Sequence, residues 1–75
     1  MTPKDTLDAT GLLCPLPVLK LRKRLKSLGV GDLIAMQADD PAAVIDVPHF
    51  CAEAGHDLVV AKEADGVQTY IIRKS

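Results

Sequence analysis

Aromatic side chains are almost missing from this chain: Phe50 and Tyr70 are the only two, and there is no tryptophan. A core must therefore be mostly aliphatic. A surface that holds single-stranded nucleic acid by stacking bases on rings has no platform to build on. Charge of one sign is lacking too. Nine Lys and Arg against ten Asp and Glu leave a formal net charge of −1, so no overall field draws the chain to a polyanion. Cysteine is scarce, with Cys14 and Cys51 alone. One bridge is the most they can form, and without C-x-x-C the dithiol chemistry of a thioredoxin-like protein is excluded. Long apolar runs are absent. Nothing approaches the ~18 residues of a membrane span, and "MTPKDTLDATG" has no apolar stretch of signal-peptide length. The expected setting is reducing and cytoplasmic, where thiols stay free. Gly29 and Gly31 lack the glycine-lysine pattern of a phosphate loop.

What is present fits one domain, residues 1–75. Chains this short bury only about 60% of their unfolded surface, so chemistry is expected at an element terminus or in a shallow groove. "DTLDATGL" alternates, with Leu7 and Ala9 between polar neighbours, and reads as a short strand ended by Gly11. From Pro15 to Leu28 the period changes. Val18, Leu21, Leu25 and Leu28 recur at helical steps, Leu19 widens the stripe, and Lys20, Arg22, Lys23, Arg24 and Lys26 decorate the rest. Pro15 suits the first helical position and Pro17 the first turn, where backbone N–H groups have no partner inside the helix. Residues 33–38 read as a strand with Ile34, Met36 and Ala38 towards the helices. In "DDPAAV", Asp39 or Asp40 is a helix cap and Pro41 a first helical residue. Val44, Val47, Cys51 and Ala54 continue that second helix, Pro48 predicts a kink or two short pieces, and Gly55 ends it. "HDLVVAKE" and "VQTYIIRK" are strands joined by a tight Asp-Gly turn. The order β-α-β-α-β-β predicts an α+β fold: a two-layer sandwich with a four-stranded mixed sheet and both helices on one face.

The residue that carries chemistry is Cys14. It stands at the entrance to the first helix, where unpaired N–H groups and the helix dipole favour a negative charge. Cysteine pKa values fall at such positions. With five cations following, Cys14 is expected to be exposed and more acidic than an ordinary thiol. Cys51 lies on an apolar stripe and is expected to be buried. His49 and His56 flank Cys51 at a spacing that matches no zinc pattern, and neither has a visible acid–base partner. The basic face of the first helix is a solvated surface or a docking face for an acidic protein.

The stretch "LDATGLLCPLP" resembles the signature of the TusA/SirA family of sulfur-carrier proteins, whose hallmark is Cys-Pro-x-Pro after a short strand and a glycine; here it is Cys14, Pro15, Leu16, Pro17. The resemblance continues through "VLKLRKRLKSLGVGD", "ADDPAAVIDVPHFC" and "YIIRK", and so covers almost the whole chain. It implies a two-layer α/β sandwich and a sulfurtransferase without a cofactor. Cys14 would match the persulfide-carrying cysteine, Gly11, Pro15 and Pro17 the supporting turn, and Asp40 with Pro41 the second helix entrance. It also implies partners: a sulfur donor of the cysteine desulfurase or rhodanese kind, and an acceptor cysteine on a DsrE-like protein. Some members serve 2-thiouridine synthesis in transfer RNA, others sulfur oxidation or molybdenum-cofactor pathways. The 2-thiouridine member has an acidic residue between the prolines and a basic one before the cysteine. Leu16 and Leu13 stand there in this chain, which suits a greasier docking surface. Leu13, Leu16, Lys20, Lys23 and Arg24 are the expected docking residues of a monomer that binds neither nucleic acid nor membrane directly. Two rival readings stay open: a regulatory or RNA-binding module using the basic helix face, and a redox adaptor acting through mixed disulfides.

Overall fold

The computed structural model of the chain describes residues 2–75. Its elements run β1 (Asp5–Asp8), α1 (Leu16–Lys26), β2 (Leu33–Ala38), α2 (Ala43–Ala54), β3 (Asp57–Ala64) and β4 (Val67–Arg73). The strands form one mixed sheet in the order β1-β2-β4-β3. β1 and β2 pair in parallel, with Leu7 opposite Met36. The pairs β2–β4 and β3–β4 are antiparallel. This is the α+β architecture that the element order predicts.

Alternation along the strands decides which face the helices cover. Ile34, Met36 and Ala38 of β2 are buried beside Tyr70 and Ile72 of β4. Leu33, Ala35, Ile71 and Val60 point to the uncovered face and are half-buried. The hairpin between β3 and β4 closes on Asp65 and Gly66, both at positive φ (53° and 79°). Those angles match the right-handed twist of the flanking strands.

Both helices differ from expectation in the residues they bury. α1 starts at Leu16, with Pro15 as its N-cap residue and Pro17 in the first turn. Its inner face is Pro17, Leu21 and Leu25, with Val18 and Leu28 packed at the margin. Leu19 does not widen the stripe and is 46% exposed. The reason is angular: two residues from Pro17 or Leu21 is a rotation of about 200° on a helix, the opposite face. Pro17, read from sequence as a turn-shaping residue, is thus also a core residue.

α2 is one continuous helix through Pro48, not two pieces. Pro48 removes a single N–H, whose partner would be the carbonyl of Val44, a residue that is 48% exposed. The buried stripe is Ala43, Val47, Phe50 and Cys51; Val44 and Ala54, expected on it, lie outside. The helix begins later than "DDP" suggests. Ala42 is its N-cap residue and no side chain caps it. Asp40 Oδ1 instead accepts from Ala42 N at 3.1 Å, a turn before the helix.

The two faces of α1 predict unequal costs of truncation. Leu21→Ala should lose about 2–5 kcal/mol. Leu19→Ala, on the exposed face, should stay within about 0.5 kcal/mol of the parent. Urea denaturation of both variants checks this, and equal losses would mean that α1 buries a different stripe.

Candidate functional site around Cys14

Parallel pairing of β1 and β2 puts the C-terminal ends of both strands on one edge of the sheet, so the loops that follow them are neighbours. β1 stops at Asp8 because its Oδ1 accepts from Thr10 N at 3.0 Å and from Thr10 Oγ1 at 2.6 Å. Gly11, at φ +80°, then turns the chain. The second loop supplies two carboxylates to hold the first. Asp39 Oδ1 accepts from Gly11 N at 2.9 Å, and Asp40 Oδ2 accepts from Cys14 N at 2.6 Å. Asp40 is held in turn by the sheet: Gln68 Nε2 donates to its carbonyl at 2.9 Å, and Tyr70 Oη donates to Gln68 Oε1 at 2.7 Å.

Cys14 is exposed at the end of this clamp and is a free thiol. Its Sγ donates to Asp46 Oδ2, in the first turns of α2, at 3.0 Å. The peptide bond from Cys14 to Pro15 is cis. The thiol opens onto a shallow groove of about 260 Å³ between the helices, walled by Val18, Asp46, His49 and Phe50 and reaching Arg22 and Glu53. A larger concavity of about 380 Å³ lies further along the same helices, from Arg22 to Lys74, and contains no cysteine. Of the two hollows, only the smaller borders an exposed thiol.

Electrostatics at Cys14 run against the expectation from sequence. The thiol pKa is raised, first by its hydrogen bond to Asp46, then by desolvation and by the negative charges of Asp46 and Asp40. A hydrogen bond that only the protonated form can donate favours that form, and nearby carboxylates oppose the thiolate. Their direction is opposite to that expected of the helix entrance. The helix cations do not offset them: Lys20 and Lys23 are exposed, Arg22 lies over the Phe50 ring, and Arg24 donates to both carboxylate oxygens of Asp5 at 3.1 Å and to Thr6 O at 3.3 Å. Arg24 thus braces α1 against β1.

The remaining candidates fall out as follows. Pro15 and Pro17 line the notch around Cys14 with Asp40 and Asp46. Leu13 is 70% and Leu16 45% exposed, so they flank the thiol with apolar surface. Cys51 is buried, and burial pushes its thiol up to about 11. His49 does have an acidic neighbour, with Nε2 3.1 Å from Glu53 Oε1. His56 accepts from Ser75 N through Nδ1 at 3.1 Å. Among the described residues no cluster of three His, Cys, Asp or Glu side chains is placed to hold a metal. Nor, among the described residues, is any helix long and apolar enough to cross a membrane.

Sequence reasoning missed Asp39, Asp40 and Asp46 as parts of the site. The first two read as helix caps, and Asp46 carries no signal of its own. The only available signal was that both loops must meet if β1 and β2 are parallel neighbours, which places acids of one beside the thiol of the other.

A reagent that alkylates thiolates should modify Cys14 and leave Cys51 untouched until the chain unfolds. The sign of the Cys14 shift fixes the rest. A raised pKa leaves less thiolate at neutral pH, so folded Cys14 should react more slowly there than the same residue in urea, and the gap should close as pH rises through the folded value. Labelling rate against pH with peptide mapping checks both points; faster labelling in the folded state at neutral pH would contradict the carboxylate contacts.

Comparison with known proteins bears on the same residues. The solved structure of a SirA-like protein from Desulfitobacterium hafniense superposes with a TM-score of 0.82 at 28% identity, covering 92% of this chain and 95% of that one. The family model described as "Sulfurtransferase TusA" matches residues 5–74, from the first residue of β1 to just past the end of β4. A match of that extent takes in the clamp, the Cys-Pro-x-Pro turn and both helices together, and the chain belongs to the TusA family of SirA-like sulfurtransferases.

Proposed function

We propose that the chain is a sulfur carrier that accepts sulfane sulfur as a persulfide on Cys14 and relays it to a cysteine of an acceptor protein. The observation that carries the reading is a single exposed thiol on a loop clamped by Asp39 and Asp40, with the other cysteine buried. One accessible thiol suits a relay: it takes sulfur from one partner and has no second thiol beside it to expel that sulfur as a disulfide forms.

The cycle is two exchanges. The Cys14 thiolate attacks the outer sulfur of a donor persulfide, R–S–SH. A new S–S bond forms, the donor's S–S bond breaks, and the donor sulfur leaves as a thiolate that takes up the proton Cys14 lost. The acceptor thiolate then attacks the outer sulfur on Cys14 in the same way, and Cys14 is released. No net oxidation occurs, and no cofactor is required. Rates of such exchange depend on thiolate fraction and access.

The site is too shallow to enclose a substrate, so the partner proteins complete it. Leu13 and Leu16 give the apolar part of the docking face, with Lys20 and Lys23 as steering charges at its edge. Arg24, engaged with Asp5, contributes less to steering. Suitable donors are a cysteine desulfurase or a rhodanese-like protein, and a suitable acceptor is a DsrE-like protein, at work in the cytoplasm on transfer RNA thiolation or another sulfur pathway.

Incubation with a persulfide donor should add the mass of one sulfur atom to the wild-type chain and none to Cys14→Ser, and an acceptor thiol should remove it again. Intact mass measurement reads both steps. Mass gain on Cys14→Ser would sink the assignment. A variant that keeps its partner or RNA affinity when no sulfur loads on either protein would favour a binding module instead.

A further inference from the structure

The groups around Cys14 are unevenly charged. From α2 and the loop before it come Asp46, whose Oδ2 is 3.0 Å from Sγ, and Asp40, bonded to the cysteine's own N–H. An arginine and a histidine do stand on the nearby groove, but each faces another group. The Arg22 guanidinium lies 5.5 Å above the centre of the Phe50 ring, and His49 is matched with Glu53. Among the described residues Asp46 takes part in no ion pair. It is half-buried, on the wall of the notch that holds the thiol. An acid in a first turn favours the helix dipole, which accounts for its charge but not for its contact with sulfur.

The geometry points to Asp46 as a positioning residue that latches Cys14 in the resting thiol form, a latch opened by a partner that brings a cationic side chain against this carboxylate. Its part in sulfur relay rests on the carrier reading above; the latch itself does not. The physical chain is short. The thiolate is the nucleophile. An S–H bond donated to a carboxylate holds the proton on sulfur, and the second carboxylate, Asp40, adds repulsion against its loss. A partner's Lys or Arg near Asp46 reverses the balance, because an opposite charge within about 4–6 Å favours ionisation. Asp46 then turns to the cation, the sulfur loses its proton to solvent, and the thiolate is free to attack. Between partners the exposed cysteine is protected, since oxidation and adventitious exchange also need thiolate character. The inference specifies the partner's chemistry: its docking surface carries a basic residue beside its own reactive sulfur.

Small disulfides of different charge test this without any sulfur transfer. Cys14 thiolate attacks one sulfur of the probe, its S–S bond breaks, and the probe's other half leaves as a thiolate. The probes are cystamine, with two ammonium groups, dithiodipropionate, with two carboxylates, and neutral hydroxyethyl disulfide. Rates are read by intact mass at low ionic strength, where local charge is least screened. Wild type should show a cystamine-to-dithiodipropionate rate ratio several-fold larger than the same chain gives in urea, where only the probes' own leaving-group difference remains. In Asp46→Asn the cation-to-anion ratio should shrink several-fold, and the pH midpoint for the neutral probe should fall. Asp46→Glu, which restores the charge, should bring the preference back. A merely structural role for Asp46 would move neither the ratio nor the midpoint in this direction. The latch is overturned if wild type gives the same ratio folded as in urea, or if Asp46→Asn keeps the wild-type ratio. Charge selectivity that follows Asp46 in a chain that takes up no sulfur upholds the latch while the carrier reading fails. Sulfur loading with no such selectivity does the reverse.

Discussion

Two loops held together by carboxylates are the constraint on which the site depends. Asp39 fastens Gly11 and Asp40 fastens Cys14. Neither bond would exist unless β1 and β2 were parallel neighbours, because only then do both strands end on the same edge. The clamp is also tied inward. Asp40's carbonyl is bonded by Gln68, and Gln68 by Tyr70, both buried in the sheet beneath the helices. A buried amide and hydroxyl satisfied in this way are costly to disturb, since either left unpaired would lose more than one net hydrogen bond is worth. The thiol loop therefore inherits its rigidity from the core.

The same acids decide the charge state of the sulfur. A helix entrance and a run of cations favour a thiolate on general grounds. Asp46 opposes it through a hydrogen bond to the sulfur itself and Asp40 from the cysteine's own N–H, whereas the α1 cations are exposed or engaged elsewhere, as Arg22 is by Phe50 and Arg24 by Asp5. The carboxylate contact wins in this competition because a hydrogen bond that only the thiol can donate holds the proton on sulfur. Rigid placement with a resting thiol is consistent with a carrier that meets its partners in turn.

The thinness of the domain shapes what surrounds the thiol. Its core is aliphatic apart from Phe50 and Tyr70, and only one sheet face is covered. Such a body has no room to enclose a substrate, and its groove at Cys14 is shallow. Leu13, exposed on the clamped loop, leaves apolar surface next to the thiol in sequence.

Much of this was legible in the amino-acid order. The element sequence, the inward set Ile34, Met36 and Ala38, the Asp-Gly hairpin, a buried Cys51 and an exposed Cys14 all follow from periodicity and turn chemistry, which are local properties. The Cys-Pro-x-Pro turn was readable for the same reason. What local reasoning misjudged was the phase of each helix: Leu19, Val44 and Ala54 are apolar at nearly helical spacing, and only packing against a particular sheet selects Pro17, Ala43 and Phe50 in their place. The continuity of α2 through Pro48 was likewise settled by its surroundings, which keep the orphaned carbonyl near solvent. The carboxylates at the thiol lay furthest from view. Asp40 and Asp46 are 26 and 32 residues from Cys14 in sequence, and each reads by itself as an acid at a helix start. Strand pairing alone brings them to the sulfur, and because electrostatic effects depend on distance in space, the ionisation of Cys14 is a property of the tertiary structure.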